Sequence, residues 1–276
     1  MMHKQLNPLQ ERLIDLNQAF EGDIEFFEGH IQSMSYQEFR QYQPETDENN
    51  PRQAEFNSTM DDNEVKDIEL LACYISPHVS QADWGIYFLE KGINWIAHYF
   101  ENKISNDPIS KFFINMPNGQ KTPQEIRKDL NNVSKKILLR HELGHYAIDY
   151  SLTRCDTRNS NDYHQFRAEM QVQEIKFDES ICNANVTRRN LKISNRLPGV
   201  PKVGFNLDLK PFCNEFMDSQ PVAYSGYRQF MTSSYSKTCV DALNSIAGVD
   251  FNTNNFNEAI KDSSAMNIPL YMVSNQ

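Results

Sequence analysis

The spacing of apolar residues along the chain predicts mostly helices, with a few short strands. Within residues 1–43 apolar side chains recur at roughly every third or fourth position, which predicts a helical region with a second segment from Ile24 to Tyr42. Residues 44–68 are polar and acidic, as in a solvated loop or linker. The apolar pattern returns at residue 69. We therefore expect a helical N-terminal region (1–43), an acidic loop (44–68) and one larger domain (69–276).

A long helix is predicted in the middle of the larger domain. The apolar run from Lys111 to Pro117 is typical of a strand that ends in a turn. Thr122, Pro123 and Glu125 then match an N-cap, a first-turn proline and the glutamate of a capping box. A helix is therefore expected to begin at Thr122, to pause at most briefly near residues 131–132, and to reach about residue 150. Its apolar stripe comprises Val133, Ile137, Leu138, Ala147 and Ile148.

Composition excludes several classes of protein. Lysine and arginine total 27 and aspartate and glutamate 37, giving a net charge of −10, which argues against a general nucleic-acid binder. The 5 cysteines form no C-x-x-C pair, so reduced thiols are expected rather than a disulfide framework. No apolar run suits a signal peptide or a bilayer span. We expect no membrane insertion, and either a cytoplasmic location or export without a classical signal.

The segment from His141 to His145 reads H-E-L-G-H, an HExxH motif. On a helix, residues i and i+4 share a face, so both imidazoles can reach one metal ion. Zn²⁺ lowers the pKa of a bound water from about 16 to about 7, and Glu142 is placed to act as the general base. Gly144 lowers the helix propensity, which indicates that another element packs against the backbone there.

These residues make the chain resemble the zincin metallopeptidases. The resemblance covers the motif helix and, less clearly, the next fifty residues or so. It implies an α+β fold that is mostly helical, with a small mixed sheet beside the HExxH helix. The longer metzincin pattern does not fit, because Ile148 and Ser151 stand where its glycine and third histidine belong. The third zinc ligand must therefore come from elsewhere.

The gluzincin branch implies a glutamate ligand from the next helical segment, which we predict at residues 165–191. Glu169 is the first choice, since its surroundings resemble the E-x-x-A-x-x-F pattern of short HExxH peptidases. The competing candidates are Glu174, Glu179, Glu215 and His164.

A weaker resemblance extends to the NleD-type effector metalloproteases of bacterial pathogens. That family has a glutamate followed by a T-E-N-x-x-R block, where this chain has Cys182 and Asn183 in place of the threonine and glutamate. The terminal R-x-x-Y is also missing, because Arg196 is followed by Leu-Pro-Gly. The resemblance implies an exported virulence enzyme that cuts one or a few host-cell proteins.

Supporting residues are open to several assignments. Asp149 is a candidate partner for the free ring nitrogen of His145, or else a solvated acid at the helix end. The candidate oxyanion stabilisers are Tyr224, Tyr227, Tyr163 and His164. A basic stretch is expected to form a solvated face, with a groove for acidic substrates as the alternative; it comprises Arg188, Arg189, Lys192, Arg196 and Lys202.

Together these features predict a zinc-dependent endopeptidase with a specific protein substrate. Its metal ligands would be His141, His145 and Glu169, with Glu142 as the catalytic base. One alternative is a binding protein on a degenerate zincin fold. Another is a metallohydrolase that cleaves a non-peptide amide or ester.

Overall fold

The computed structural model describes the chain in separate segments, which are residues 31–35, 37–39, 68, 71–77, 82–114, 121–155, 177–196, 204–247, 252–254, 256–257 and 268–274. The predictions for residues 1–30 and for nearly all of the acidic loop lie outside these segments.

Four short strands form one mixed sheet. They are β1 (Ile31–Ser35), β2 (Ala72–Ile75), β3 (Gly85–Leu89) and, at the end of the chain, β6 (Leu270–Ser274). The spatial order is β1-β6-β3-β2. Strand β6 runs parallel to both β1 and β3, whereas β2 pairs antiparallel with β3, Ala72 opposite Phe88. Consequently β2 is an end strand among those described in this sheet.

Two further strands, β4 (Lys192–Arg196) and β5 (Gly204–Asp208), form a separate antiparallel hairpin. The described helices are α1 (Glu90–Asn106), α2 (Pro108–Ile114), α3 (Pro123–Cys155), α4 (Phe177–Thr187), α5 (Lys210–Asp218), a 3₁₀ helix (Val222–Phe230) and α6 (Tyr235–Ala247).

The sheet has apolar side chains on both faces. Along β3, Ile86 and Phe88 belong to the main hydrophobic core, whereas Tyr87 and Leu89 belong to a smaller cluster that includes Phe39. This alternation is the period of two that a strand imposes. The main core continues into the helices, where α3 packs against α1 on one side and α4 on the other. Helix α3 is thus held centrally between the sheet and α4.

The predicted fold class is confirmed at this level: the protein is a mostly helical α+β structure with a small mixed sheet and a helix that carries His141 and His145. The predicted start of α3 is also confirmed. The Thr122 N–H donates to Glu125 Oε2 at 2.7 Å, and the Glu125 N–H donates to Thr122 Oγ1 at 3.2 Å. The helix shows no pause at residues 131–132, and the predicted apolar stripe is buried.

Two predictions of secondary structure are wrong. Residues Ile31–Ser35, within the helix predicted from Ile24 to Tyr42, form β1, because they pair with the distant strand β6. The strand predicted from Lys111 to Pro117 is instead the end of α2 as far as Ile114. Asp107 caps this helix by accepting bonds from the Ser110 N–H and hydroxyl, both at 2.7 Å, and Pro108 occupies its first position.

Candidate metal centre

Both motif histidines lie on the buried side of α3. His141 is fully buried and His145 is 9% exposed. Their Nε2 atoms are 3.3 Å apart, as expected for residues one helical turn apart on a common face. The helix that carries them is fixed at its start by the Thr122 capping box and along its length by the apolar stripe. The motif is therefore held in a buried setting.

Helix α4 brings a carboxylate to the two imidazoles. Glu179 Oε2 lies 3.1 Å from His141 Nε2, and Glu179 Oε1 lies 3.4 Å from His145 Nε2. Glu179 is only 2% exposed. Among the described residues, these three form a buried group whose ligand atoms converge closely enough to hold one metal ion. Glu179 was one of the competitors for the third ligand position.

The two ring nitrogens of His141 face Asn183 and Glu179. His141 Nδ1 lies 3.1 Å from Asn183 Oδ1, and an amide oxygen can only accept a hydrogen bond. The proton of a neutral His141 is therefore on Nδ1, which leaves a lone pair on Nε2. That lone pair faces the Glu179 carboxylate, which is also an acceptor. Two acceptors at 3.1 Å repel each other unless a proton or a metal ion lies between them.

The distances fit a metal ion. With tetrahedral geometry and bonds of about 2.0–2.1 Å, neighbouring zinc ligands lie about 3.3–3.4 Å apart. His141 Nε2 lies 3.3 Å from His145 Nε2 and 3.1 Å from Glu179 Oε2, while His145 Nε2 lies 3.4 Å from the other carboxylate oxygen, Glu179 Oε1. The donor set of two imidazoles and one carboxylate is also one that catalytic zinc sites use. The residues present therefore fit such an ion.

Gly144 permits the close packing that brings α4 to α3. A Cβ atom at Gly144 would lie 2.6 Å from Cys182 Sγ and 2.9 Å from Cys182 Cα. Contacts this short do not occur between such atoms, so any side chain at this position would push the two helices apart. The expectation that another element packs against the backbone at Gly144 is confirmed, and that element is α4.

Glu142 lies close enough to the sheet for its charge to act on β2. Burial, followed by the charge of nearby Glu142, raises the pKa of the Cys73 thiol on β2. The ring of Tyr74, also on β2, packs edge-on against Tyr146, which follows His145, with centroids 6.0 Å apart. The end strand β2 therefore runs beside the motif, and Glu142 itself is 2% exposed.

The structure places several other predicted residues. Asp149 is buried within α3, so its description as a solvated acid at the helix end is wrong, and its role as a partner of His145 stays a prediction.

Tyr224 is buried in the 3₁₀ helix, which packs on α4. The Tyr227 hydroxyl donates to Asp218 Oδ1 at 2.7 Å. Glu215 forms a surface ion pair with Lys103 and is not part of the buried group.

Glu169, the first choice for the third ligand, lies outside the described residues, as do Glu174, Tyr163 and His164. Their predicted roles stay predictions. Sequence reasoning missed Asn183, although one signal was present: it follows Glu179 by four residues on the same helix, so both side chains share a face.

Comparison with known proteins gives no family assignment. No protein-family model matches the sequence, and neither curated proteins nor solved structures give a significant match. Among the described helices, none combines the length and the hydropathy that crossing a membrane requires.

Proposed function

We propose that this protein is a zinc-dependent hydrolase that cleaves peptide bonds, with His141, His145 and Glu179 as its metal ligands. The observation that carries the proposal is the convergence of these three buried side chains, with ligand atoms 3.1–3.4 Å apart. Three protein ligands leave a fourth position for water or substrate, as in catalytic zinc sites. A structural zinc site is normally closed by a fourth protein ligand.

Glu142 is the proposed general base. It follows His141 directly on α3 and is 2% exposed, so its carboxylate is shielded from bulk water. A bound zinc ion supplies Lewis acidity, which polarises a carbonyl and makes water acidic near neutral pH. Glu142 accepts the proton of the attacking water on its carboxylate and returns it to the nitrogen of the departing amine. Proton and charge therefore balance over the cycle.

The position of β2 supports a peptide as the substrate. This strand lies at the end of the described sheet and beside α3, with Tyr74 packed against Tyr146. An end strand offers backbone N–H and C=O groups that an extended peptide can pair with. Such pairing would hold a peptide carbonyl near Glu142 without depending on any one side chain. A small amide or ester would gain nothing from this edge.

Two finer predictions remain part of this proposal. Tyr224 is the candidate to stabilise the oxyanion, since it is buried in the 3₁₀ helix that packs on α4. The expectation that the substrate is a specific host-cell protein rests on the NleD-type resemblance alone.

The proposal is tested on the full chain in two steps. Zinc content is first measured by elemental analysis after purification without added metal. The protein is then incubated with a degenerate peptide library, and new termini are identified by mass spectrometry. We expect stoichiometric zinc and a defined set of cleavages.

Glu142→Gln is the decisive variant, because it should keep the zinc and the fold while lowering cleavage by about 10²- to 10⁴-fold. Glu215→Gln, at a surface glutamate that pairs with Lys103, is the matched control and should cleave normally. Absence of zinc from the wild type would overturn the proposal. Zinc without any cleavage would instead favour a binding protein with a zincin-like site.

A further inference from the structure

A series of buried and half-buried contacts connects α6 to the backbone of α3 immediately before His141. Asn185 Nδ2 donates to the carbonyl oxygen of Arg140 at 2.7 Å. Asn185 Oδ1 accepts from Arg188 Nε and Nη2, at 3.2 and 3.1 Å. The Arg188 guanidinium carbon lies 4.2 Å from the ring centroid of Tyr235. Arg188 is therefore half-buried and held by these contacts, so its expected place on a fully solvated face is wrong.

Arg188 determines which way the Asn185 amide points. A guanidinium has only donors, so the amide atom that faces it must be the oxygen. The amide nitrogen then faces the Arg140 carbonyl, to which it can donate. Tyr235 in turn holds Arg188 in place by cation–π stacking, while its hydroxyl donates to the Ile181 carbonyl at 3.0 Å. Tyr235 thus fixes the position of Arg188, and Arg188 fixes the orientation of the Asn185 amide.

The contact made by Asn185 lies close to the metal centre. On α4, Asn185 follows Glu179 by six residues, a rise of about 9 Å along the helix. On α3, its partner Arg140 directly precedes His141. Helix α4 therefore meets α3 at the Glu179 carboxylate, at Asn183 beside His141 Nδ1, and at Asn185. Of these contacts, the one made by Asn185 lies farthest along α4 from Glu179, so it keeps α4 from sliding along α3 or turning against it.

In metal sites the distances from ion to ligand lie within about 0.2 Å of their standard values, so the ligands have to be held precisely. We propose that Asn185 and Arg188 are positioning residues that set the register of α4 on α3 and so hold Glu179 against His141 and His145. The inference rests on the metal site of the proposed function, but it does not depend on whether the substrate is a peptide.

The test measures the metal site directly on the full chain. Zinc affinity is determined by competition with a chromophoric chelator, and the coordination geometry is followed through the visible absorption bands of the cobalt-substituted protein. Asn185→Asp keeps the acceptor for Arg188 but places a second acceptor against the Arg140 carbonyl. We expect it to weaken zinc binding about 10- to 100-fold and to alter the cobalt bands. Arg188→Lys loses the paired donors and the flat ring contact, and should weaken binding about 10-fold.

Two controls separate positioning from general destabilisation. Arg189→Lys makes the same exchange at the next residue and should leave zinc affinity unchanged. Val273→Ala removes buried volume in the separate cluster around Phe39, so it should lower the melting temperature without changing the cobalt bands.

Three outcomes decide the matter. Wild-type protein that binds neither zinc nor cobalt overturns both the metal site and this inference. Normal metal binding by the wild type and equally by Asn185→Asp and Arg188→Lys overturns only the positioning role. Should Asn185→Asp fail to fold, Arg188→Lys alone decides, because it retains the charge and the rest of the helix contact.

Discussion

His141 Nε2 and Glu179 Oε2 lie 3.1 Å apart, although the two residues belong to different helices. Asn183 Oδ1 accepts a hydrogen bond from the protonated Nδ1 of a neutral His141. His141 Nε2 and Glu179 Oε2 are then both hydrogen-bond acceptors. A buried carboxylate in this position requires a positive charge beside it, since the desolvation of an uncompensated charge amounts to several kcal/mol. A proton or a metal ion can supply that charge, and the convergence of His145 on the same carboxylate is what favours a metal ion.

Glu179→Gln should weaken zinc binding more than the roughly 10- to 100-fold that the loss of an outer contact produces, because it removes a ligand charge while keeping the shape. Zinc affinity measured by chelator competition checks this. Glu215→Gln is the control, since its carboxylate pairs with Lys103 at the surface. Equal affinities for the two variants would exclude Glu179 and return attention to Glu169 and Glu174.

Zinc should stabilise the folded chain. A ligand that binds only the native state adds about 2.7 kcal/mol at a free concentration of 100 Kd. The melting temperature should therefore rise with added zinc and fall when a chelator removes it. His145→Ala is the reference, because it keeps α3 but lacks one ligand and should melt at nearly the same temperature in both conditions. A shift in His145→Ala as large as that of the wild type would mean that zinc binds elsewhere.

The features of the fold that could be predicted from the sequence are the local ones. The start of α3 follows from Thr122, Pro123 and Glu125, which are near neighbours in the chain and satisfy one another's hydrogen bonds. The small β-sheet is different. Strand β1 exists because Ile31–Ser35 pair with a strand at the other end of the chain, and no local pattern encodes that partner.

The strand wrongly predicted from Lys111 to Pro117 follows a local signal for a helix start, which was given too little weight. The paired phenylalanines after Lys111 favour a strand by composition, yet Asp107 and Pro108 just before them form a helix start. The capping bonds to Ser110 lie within one turn, so this helix start needs no distant partner, whereas a strand does.

In the metal site, too, only the local features could be predicted from the sequence. The spacing of His141 and His145 on one helix is sufficient to predict two ligands. The third ligand depends on how α4 packs on α3, which the glutamates themselves do not encode. Gly144 indicated where another helix packs against α3, because a glycine allows the closest approach of two helices. Without knowledge of the partner, however, Gly144 could not distinguish Glu179 from its neighbours.

Gly144→Ala should destabilise the protein, although alanine is the better helix former by about 1 kcal/mol. The new Cβ would lie 2.6 Å from Cys182 Sγ and 2.9 Å from its Cα, so α3 and α4 would have to separate. Overpacking of this kind costs about 1–3 kcal/mol. Chemical denaturation measures the loss, and zinc affinity should fall with it because Glu179 moves away. Lys128→Ala, at an exposed position of α3, is the control, and a Gly144→Ala variant as stable as this one would contradict the close packing.

The capping box of α3 should make part of the stability depend on pH. Hydrogen bonds from the backbone N–H and then the hydroxyl of Thr122 lower the pKa of Glu125 from its ordinary value of 4.5. A carboxyl group with a lowered pKa in the folded state contributes stability above its unfolded pKa and loses it as the pH falls through the folded value. The difference in unfolding free energy between wild type and Glu125→Ala should therefore be constant near neutral pH and shrink in acid.

Denaturant titrations between pH 7 and pH 3 measure this difference. Gln124→Ala is the matched control, because it truncates an exposed and uncharged residue of the same helical turn. Its effect on the unfolding free energy should not vary with pH. If the stability gap of Glu125→Ala were as large at pH 3 as at pH 7, the ionised carboxylate would not be what caps α3. The Thr122 hydroxyl would then be the main cap, and Thr122→Ala would show a large loss at every pH.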